Sequence, residues 1–382
     1  MDPIIVRVTL THVRIALKEP VRFAIGDIVE KDAILVAVHA SDGSCGVGEC
    51  SPPPIPGVAG EPADLCWLEL ETHIVPSLLG VPAPDIDGID SLVKSWSGWS
   101  RFSVAGAETA LWDLLGQARK VTIAELLGAE ADVIARGVEA GLIVGLQATV
   151  IDVLRTIESH RAERYKRIKL AIAPGRDVEV VKAVRRQFGD EIGLMVDANG
   201  SYTIDQLDVF REMEKYDLLM FEQPMAHDDL EGLAALQSAV STPVCIDETA
   251  RDLASVARAI ERGACRVVNL KLHRLGGFGP AREVHDYCHE RDVACWVGTH
   301  PELGVGLAQG LHLATLPNCK YPTDVAPSVR WYVDDCVSPA IEMASPGVFS
   351  LPTRPGLGYQ IDPAKLRRYE VRRRDFVAGT EP

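Results

Sequence analysis

The spacing of apolar positions changes character once along the chain. Residues 4–16 (IIVRVTLTHVRIA) and 31–40 (KDAILVAVHA) alternate or run apolar and are rich in Val and Ile, which predicts antiparallel strands. SDG at 41–43 is a turn signal, and GVGEC at 46–50 reads as a third strand. Helical spacing follows at 64–79 and at 103–119 (SVAGAETALWDLLGQAR). In the second helix small residues share one side, Leu111, Trp112 and Leu115 lie on another, and Ser103 is the expected N-cap. Strands followed by helices make the opening an α+β unit. Two segments, 18–27 and 51–60 (SPPPIPGVAG), are expected to be loops and candidate substrate lids.

From Val138 the texture becomes strand and helix in alternation. GLIVGL (141–146) precedes a helix at about 150–163, and RIKLAI (167–172) one at 177–188 that Gly189 ends. Further helices are expected at 203–215, 228–239, 252–262, 279–291 and 304–315, with a further strand at ACWVGTH (294–300). A repeat of about 25 residues is the mark of parallel βαβ units. This many units predicts a closed barrel with its chemistry at the C-terminal ends of the strands. A doubly wound open sheet fits less well, because no glycine-rich phosphate loop follows the first strand.

Charged residues interrupt these apolar strands in one pattern. Lys169, Asp197, Glu222, Asp247 and Lys271 lie in RIKLAI, IGLMVDAN, LLMFEQP, PVCIDET and RVVNLKL, at intervals of 28, 25, 25 and 24 residues. Three carboxylates converging at strand ends repel one another unless a cation holds them, and hard oxygen donors suit Mg²⁺ or Mn²⁺. Each alone would read as a helix cap or loop charge; three in successive units predict a metal site. Lys169 and Lys271 point by parity toward the same interior, and a lysine beside a divalent cation has its pKa lowered toward the range of a general base.

Net charge excludes some partners. At −15, the chain is ill suited to nucleic acid or to an anionic membrane. No apolar run of transmembrane length and no signal peptide is apparent. The nine cysteines form no CxxC pair and read as buried reduced thiols of a cytoplasmic protein. The basic stretch KLRRYEVRRRD near the end reads as a solvated strand or helix packed back on the first unit.

The three carboxylate contexts, the lysine strand before them and NLKLHRLGG (269–277) resemble the enolase superfamily, in particular its muconate-lactonizing-enzyme subgroup. GVGEC, ETALWDLLG, AELLG (124–128) and PTRPGLG (352–358) extend the resemblance over nearly the whole chain. RIKLAIAPGRD (167–177), LPNCKYPTD (316–324) and Arg274 are similar to the branch of o-succinylbenzoate synthases and N-succinylamino-acid racemases. The resemblance implies an α/β fold, a (β/α)7β TIM-like barrel of residues 131–345 under an α+β capping domain of residues 1–130 completed by about 346–382. It also implies an isomerase or lyase that removes a proton α to a carboxylate, with Mg²⁺ on Asp197, Glu222 and Asp247 stabilising the enediolate. Lys271 would be the base on one face. Asn199 and Glu248 would support the metal from behind. His300 matches the position of a histidine used in mandelate-racemase-like members, and Glu302 a loop position that faces substrate. His273 reads as a βα-loop residue, and Arg22 and Phe23 as candidates to shape the pocket. The implied partner is a small carboxylate substrate, and barrels of this kind associate into homo-oligomers.

One position departs from the pattern. Lys169 matches the first lysine of a Lys-x-Lys pair, and the second is Ala171. A methyl group transfers no proton, so two-base racemisation loses its second base. Three accounts stay open: one-base elimination or cycloisomerisation by Lys271, a substitute base at His300, or an alanine put in place of a lysine to trap a ligand. A catalytically inactive binder is the rival from outside the enzymes. A sugar-acid dehydratase fits poorly, because Lys271 stands where those enzymes carry an acidic residue.

Overall fold

The computed structural model describes residues 3–23, 26–53 and 62–379. Strands β1 (Ile5–Phe23), β2 (Gly26–Ala40) and β3 (Cys45–Cys50) form an antiparallel sheet in chain order. The strand Glu370–Val377 adds to its far edge by pairing with β1, which is where the basic tail goes. Helix α1 (Arg101–Arg119) lies against the sheet. The approach requires glycine: a Cβ on Gly48 would stand 2.2 Å from the Gly106 carbonyl oxygen. This explains the small residues of GVGEC and of one side of α1.

Seven parallel strands follow in sequence order: β4 (Gly141–Val144), β5 (Arg167–Ala171), β6 (Gly193–Asp197), β7 (Leu218–Glu222), β8 (Val244–Ile246), β9 (Val267–Asn269) and β10 (Ala294–Trp296). Residues 318–324 complete the ring. On one side Lys320 N donates to the Cys295 carbonyl (2.8 Å) and Asp324 N to that of Val297 (3.0 Å). On the other, Thr323 N donates to Glu139 O (2.9 Å) and Gly141 N to Thr323 O (2.8 Å). The result is a (β/α)7β barrel under a capping sheet. Met195, Met220, Cys245, Val267 and Trp296 fill the barrel interior.

Two carboxylates of the capping unit fasten it to the barrel. Glu49 accepts from Leu303 N (3.0 Å) and Gly306 N (2.8 Å) at the start of the barrel helix Gly304–Leu313. Glu108 accepts from Phe278 N (3.0 Å) and Gly279 N (2.8 Å) at the start of Phe278–His289. Both place an acceptor where a helix leaves amide donors unpaired.

The structure corrects two local expectations. Segment 18–27 is mostly hairpin rather than loop: pairing resumes past a register shift, with Val21 opposite Ile28 and Phe23 opposite Gly26. Helix α1 begins at Arg101 after Ser100, so Ser103 lies inside it and its hydroxyl donates to Glu69 Oε2 at 2.7 Å. Most of segment 51–60, and the side chains of Arg22 and Phe23, lie outside the described residues.

Candidate active site

Asp197 and Glu222 end neighbouring strands in register, and Asp247 directly follows β8. All three are buried. Gln223, in the left-handed region at φ 37°, aims its amide back under the Asp247 loop. Its Oε1 accepts from Asp247 N (2.8 Å) and Thr249 N (3.1 Å), and its Nε2 donates to Met225 O and Thr249 Oγ1, both at 2.9 Å. Asn269 donates to Glu222 Oε1 (2.8 Å) and accepts from Gly298 N (2.8 Å). These two amides fix the strand ends that carry the carboxylates.

Cations stand among the acids. Lys169 Nζ lies 2.7 Å from Glu222 Oε2, 2.9 Å from Asp197 Oδ2 and 3.2 Å from Asp324 Oδ2. Lys271 Nζ lies 2.9 Å from Asp247 Oδ2, and Arg274 Nη2 2.6 Å from Asp247 Oδ1. Arg274 is locked by a second bond from Nε to Ala250 O at 3.0 Å. The electrostatics follow from this arrangement. Burial pushes Glu222 well above the usual carboxylate range, aided by the charge of Asp197. Burial presses Asp247 the same way, but Arg274, Lys271 and Lys169 outweigh it and hold Asp247 below its ordinary value. Lys169 is governed by the carboxylates around it. Burial would lower it, yet Asp197, Asp324, Glu222 and Asp247 together raise it well above a normal lysine, so that among these carboxylates it is held as a cation.

The supporting residues divide. Asn199, at φ 43°, donates its backbone N–H to Asp197 Oδ1 (3.0 Å) and its Nδ2 to Glu248 Oε1 (3.2 Å). Burial, then the charges of Asp247 and Asp197, push Glu248 up to about 7. Glu302 Oε1 accepts from the His300 backbone N–H (3.1 Å) and lies 3.3 Å from His273 Nδ1. Its carboxylate therefore orders the 300–302 turn. Burial and the Lys271 and Arg274 cations lower His300 well below an ordinary histidine. It is neutral, with Nδ1 unpartnered among the described residues and its ring centroid 6.0 Å from that of Phe102.

Ala171 stands across the barrel from Lys271, four strands away in the ring. It lines a cavity of about 170 Å³ whose titratable groups are Arg176, Asp177 and Glu179. Asp177 is occupied as a helix cap, accepting from Val178 N (2.7 Å), Gly175 N (3.2 Å) and the Tyr202 hydroxyl (3.1 Å). Among the described residues, that lining holds no lysine.

Among the described residues, no three acidic, histidine or cysteine side chains gather closely enough to hold a metal as they stand. The cations occupy the intervals between them. The donor set nevertheless fits a hard divalent ion. Glu248 Oε2 and Asn199 Oδ1 are buried acceptors without a hydrogen bond, and Glu222 Oε2 meets only the Lys169 ammonium, an arrangement that an added cation would suit.

Comparison with known proteins agrees with this geometry. The model of the mandelate racemase/muconate lactonizing enzyme N-terminal domain matches residues 5–128, and that of the enolase C-terminal domain-like family residues 152–365. The chain belongs to the enolase superfamily. It is 37% identical to an o-succinylbenzoate synthase of Geobacillus stearothermophilus over 95% of both chains. It is 34% identical to an N-succinylamino acid racemase of Amycolatopsis sp, covering 92% of this chain and 93% of the relative. A solved enolase-superfamily structure from Listeria innocua superposes with a TM-score of 0.91 at 30% identity, covering 98% of this chain and 99% of that one. The protein is thus an enzyme of a superfamily of lyases and isomerases, folded as a capped barrel.

Some site residues were not found in the sequence. Asn269 and Arg167 each stand two residues before a lysine already singled out, so strand parity was the signal available. Asp324 lies in the PTD of a quoted segment without any role, and only the closed ring shows that it meets Lys169.

Proposed function

We propose that the protein removes a proton α to the carboxylate of a small organic acid with the help of Mg²⁺, or Mn²⁺ in its place. The reaction belongs with those of its o-succinylbenzoate synthase and N-succinylamino acid racemase relatives. The observation that supports this best is the trio Asp197, Glu222 and Asp247, with Lys271 held at Asp247 on the rim of the site. Asp197, Glu222 and Asp247 would hold the ion, and Glu248 and Asn199 would steady it. A bound divalent ion supplies positive charge where the substrate carboxylate gains electrons. Lys271, in its neutral amine form, takes the proton and as the resulting ammonium is well placed to return it. Lys169, cationic and fixed, stabilises negative charge. None of the nine cysteines is in a disulfide, which suits a reducing, cytoplasmic setting, and no helix among the described residues is long and apolar enough to cross a membrane.

One observation favours a second reading within the class. With Ala171 opposite Lys271 and no lysine beside it among the described residues, chemistry confined to one face, as in a lyase or cycloisomerase, needs no second lysine. Incubation of N-succinylamino acids with the Mg²⁺-loaded enzyme in D₂O, read by mass and by chiral chromatography, separates the readings. Deuterium with scrambled configuration marks a racemase. Deuterium with retained configuration marks one-face chemistry. No deuterium in any acid tried would sink both in favour of a binding protein.

A further inference from the structure

We infer that Asp324 is a positioning residue for the cation site: it holds the Lys169 ammonium when a divalent ion takes Asp197 and Glu222, and so helps to set cation affinity. The inference rests on the metal reading above. Lys169 is shared by three carboxylates, and only Asp324 meets it in hydrogen-bond geometry, at 3.2 Å. The other two oxygens are close to the ammonium but poorly directed toward it. A divalent ion on Asp197 and Glu222 needs the oxygens that Lys169 now neutralises. A buried ammonium stripped of its partners is costly. Asp324 removes that cost without any rearrangement.

Asp324 itself cannot follow the lysine. Its Oδ1 accepts from Arg167 Nη2 at 2.7 Å, and Arg167 Nη2 also donates to Pro322 O at 2.9 Å. The guanidinium is fully buried and lies over the Trp296 ring, 4.9 Å from its centroid. Gly141 leaves the space it occupies, since a Cβ there would stand 2.5 Å from Arg167 Cζ. The Asp324 backbone is pinned to Val297 O at 3.0 Å. The Trp296 face, 5.3 Å from Lys169 Nζ, favours the same resting place for the ammonium. Lys271 and Arg274 are held by Asp247 and take no part in this exchange.

Calorimetric titration of Mn²⁺ and Mg²⁺ into the full-length parent, D324N, K169M and the double variant tests the inference as a cycle. Loss of a negative charge weakens cation binding in any background; a holding role acts only while Lys169 is present. D324N is expected to weaken binding by about tenfold or more in the parent and by less than about threefold in K169M. D324E is expected to stay within about threefold of the parent. If circular dichroism shows D324N unfolded, D324S takes its place in the cycle. Equal weakening in both backgrounds would overturn the holding role and leave the metal reading standing. No saturable binding to the parent would overturn both.

Discussion

The ammonium of Lys271 lies 2.9 Å from Asp247 Oδ2, while Arg274 holds the other oxygen of the same carboxylate at 2.6 Å. This pairing seats a lysine beside a proposed metal ligand at the mouth of the barrel, on the side away from Ala171. In the proposed reaction Lys271 is the base on which the chemistry depends. Replacing it with alanine is expected to slow α-proton exchange by about 10²–10⁴-fold. Calorimetry should show Mn²⁺ still binding, because Asp197, Glu222 and Asp247 remain.

In the proposed reaction Ala171 sets the stereochemical outcome. A171K would put an amine on the strand face opposite Lys271, next to Asp197 in the parallel register. Scrambling of configuration relative to retention is expected to rise at least about tenfold, read by chiral chromatography of deuterated product. An unchanged ratio would mean that the second face is served by some other group.

Gln223 supports the Asp247 loop with four hydrogen bonds from a fully buried amide. Q223L leaves the Asp247 and Thr249 amides without their acceptor. A loss of about 1–3 kcal/mol in folding stability is expected, together with weaker Mn²⁺ binding. Denaturant titration and calorimetry check the two effects separately.

Much of this arrangement is legible in the sequence, and the reasons for success and failure are physical. Asp197, Glu222 and Asp247 announce themselves because a charge at the end of an apolar strand is costly and must be explained. Their interval follows from the βαβ repeat. The hairpin at 18–27 is hidden because Lys18, Glu19 and Pro20 give the composition of a loop, while strand pairing depends on a partner that local composition does not show. Ser103 has the composition of a cap, and serine also serves inside a helix; only the packing against Glu69 decides between them. Asp324 and Lys169 are 155 residues apart, and no local pattern links them.

Glu108 predicts a pH dependence of stability. Burial pushes it up to about 8, against the two amides that favour its charged form. Its folded value is raised above the ordinary 4.5, so between those limits the folded state binds more protons than the unfolded one. Its contribution is therefore fully present below about 4.5 and is lost as pH rises toward 8. The thermal midpoint should fall across that window, and E108Q should flatten the fall. A midpoint that E108Q leaves with the same slope would assign the dependence to other groups.

The most direct test of the whole account is the rate of α-proton exchange of an N-succinylamino acid in D₂O, followed by proton NMR with Mg²⁺, with EDTA, and for K271A. The account predicts exchange that needs both the divalent ion and Lys271, falling to background when either is removed. Exchange that persists in EDTA, or that is undiminished in K271A, would contradict it.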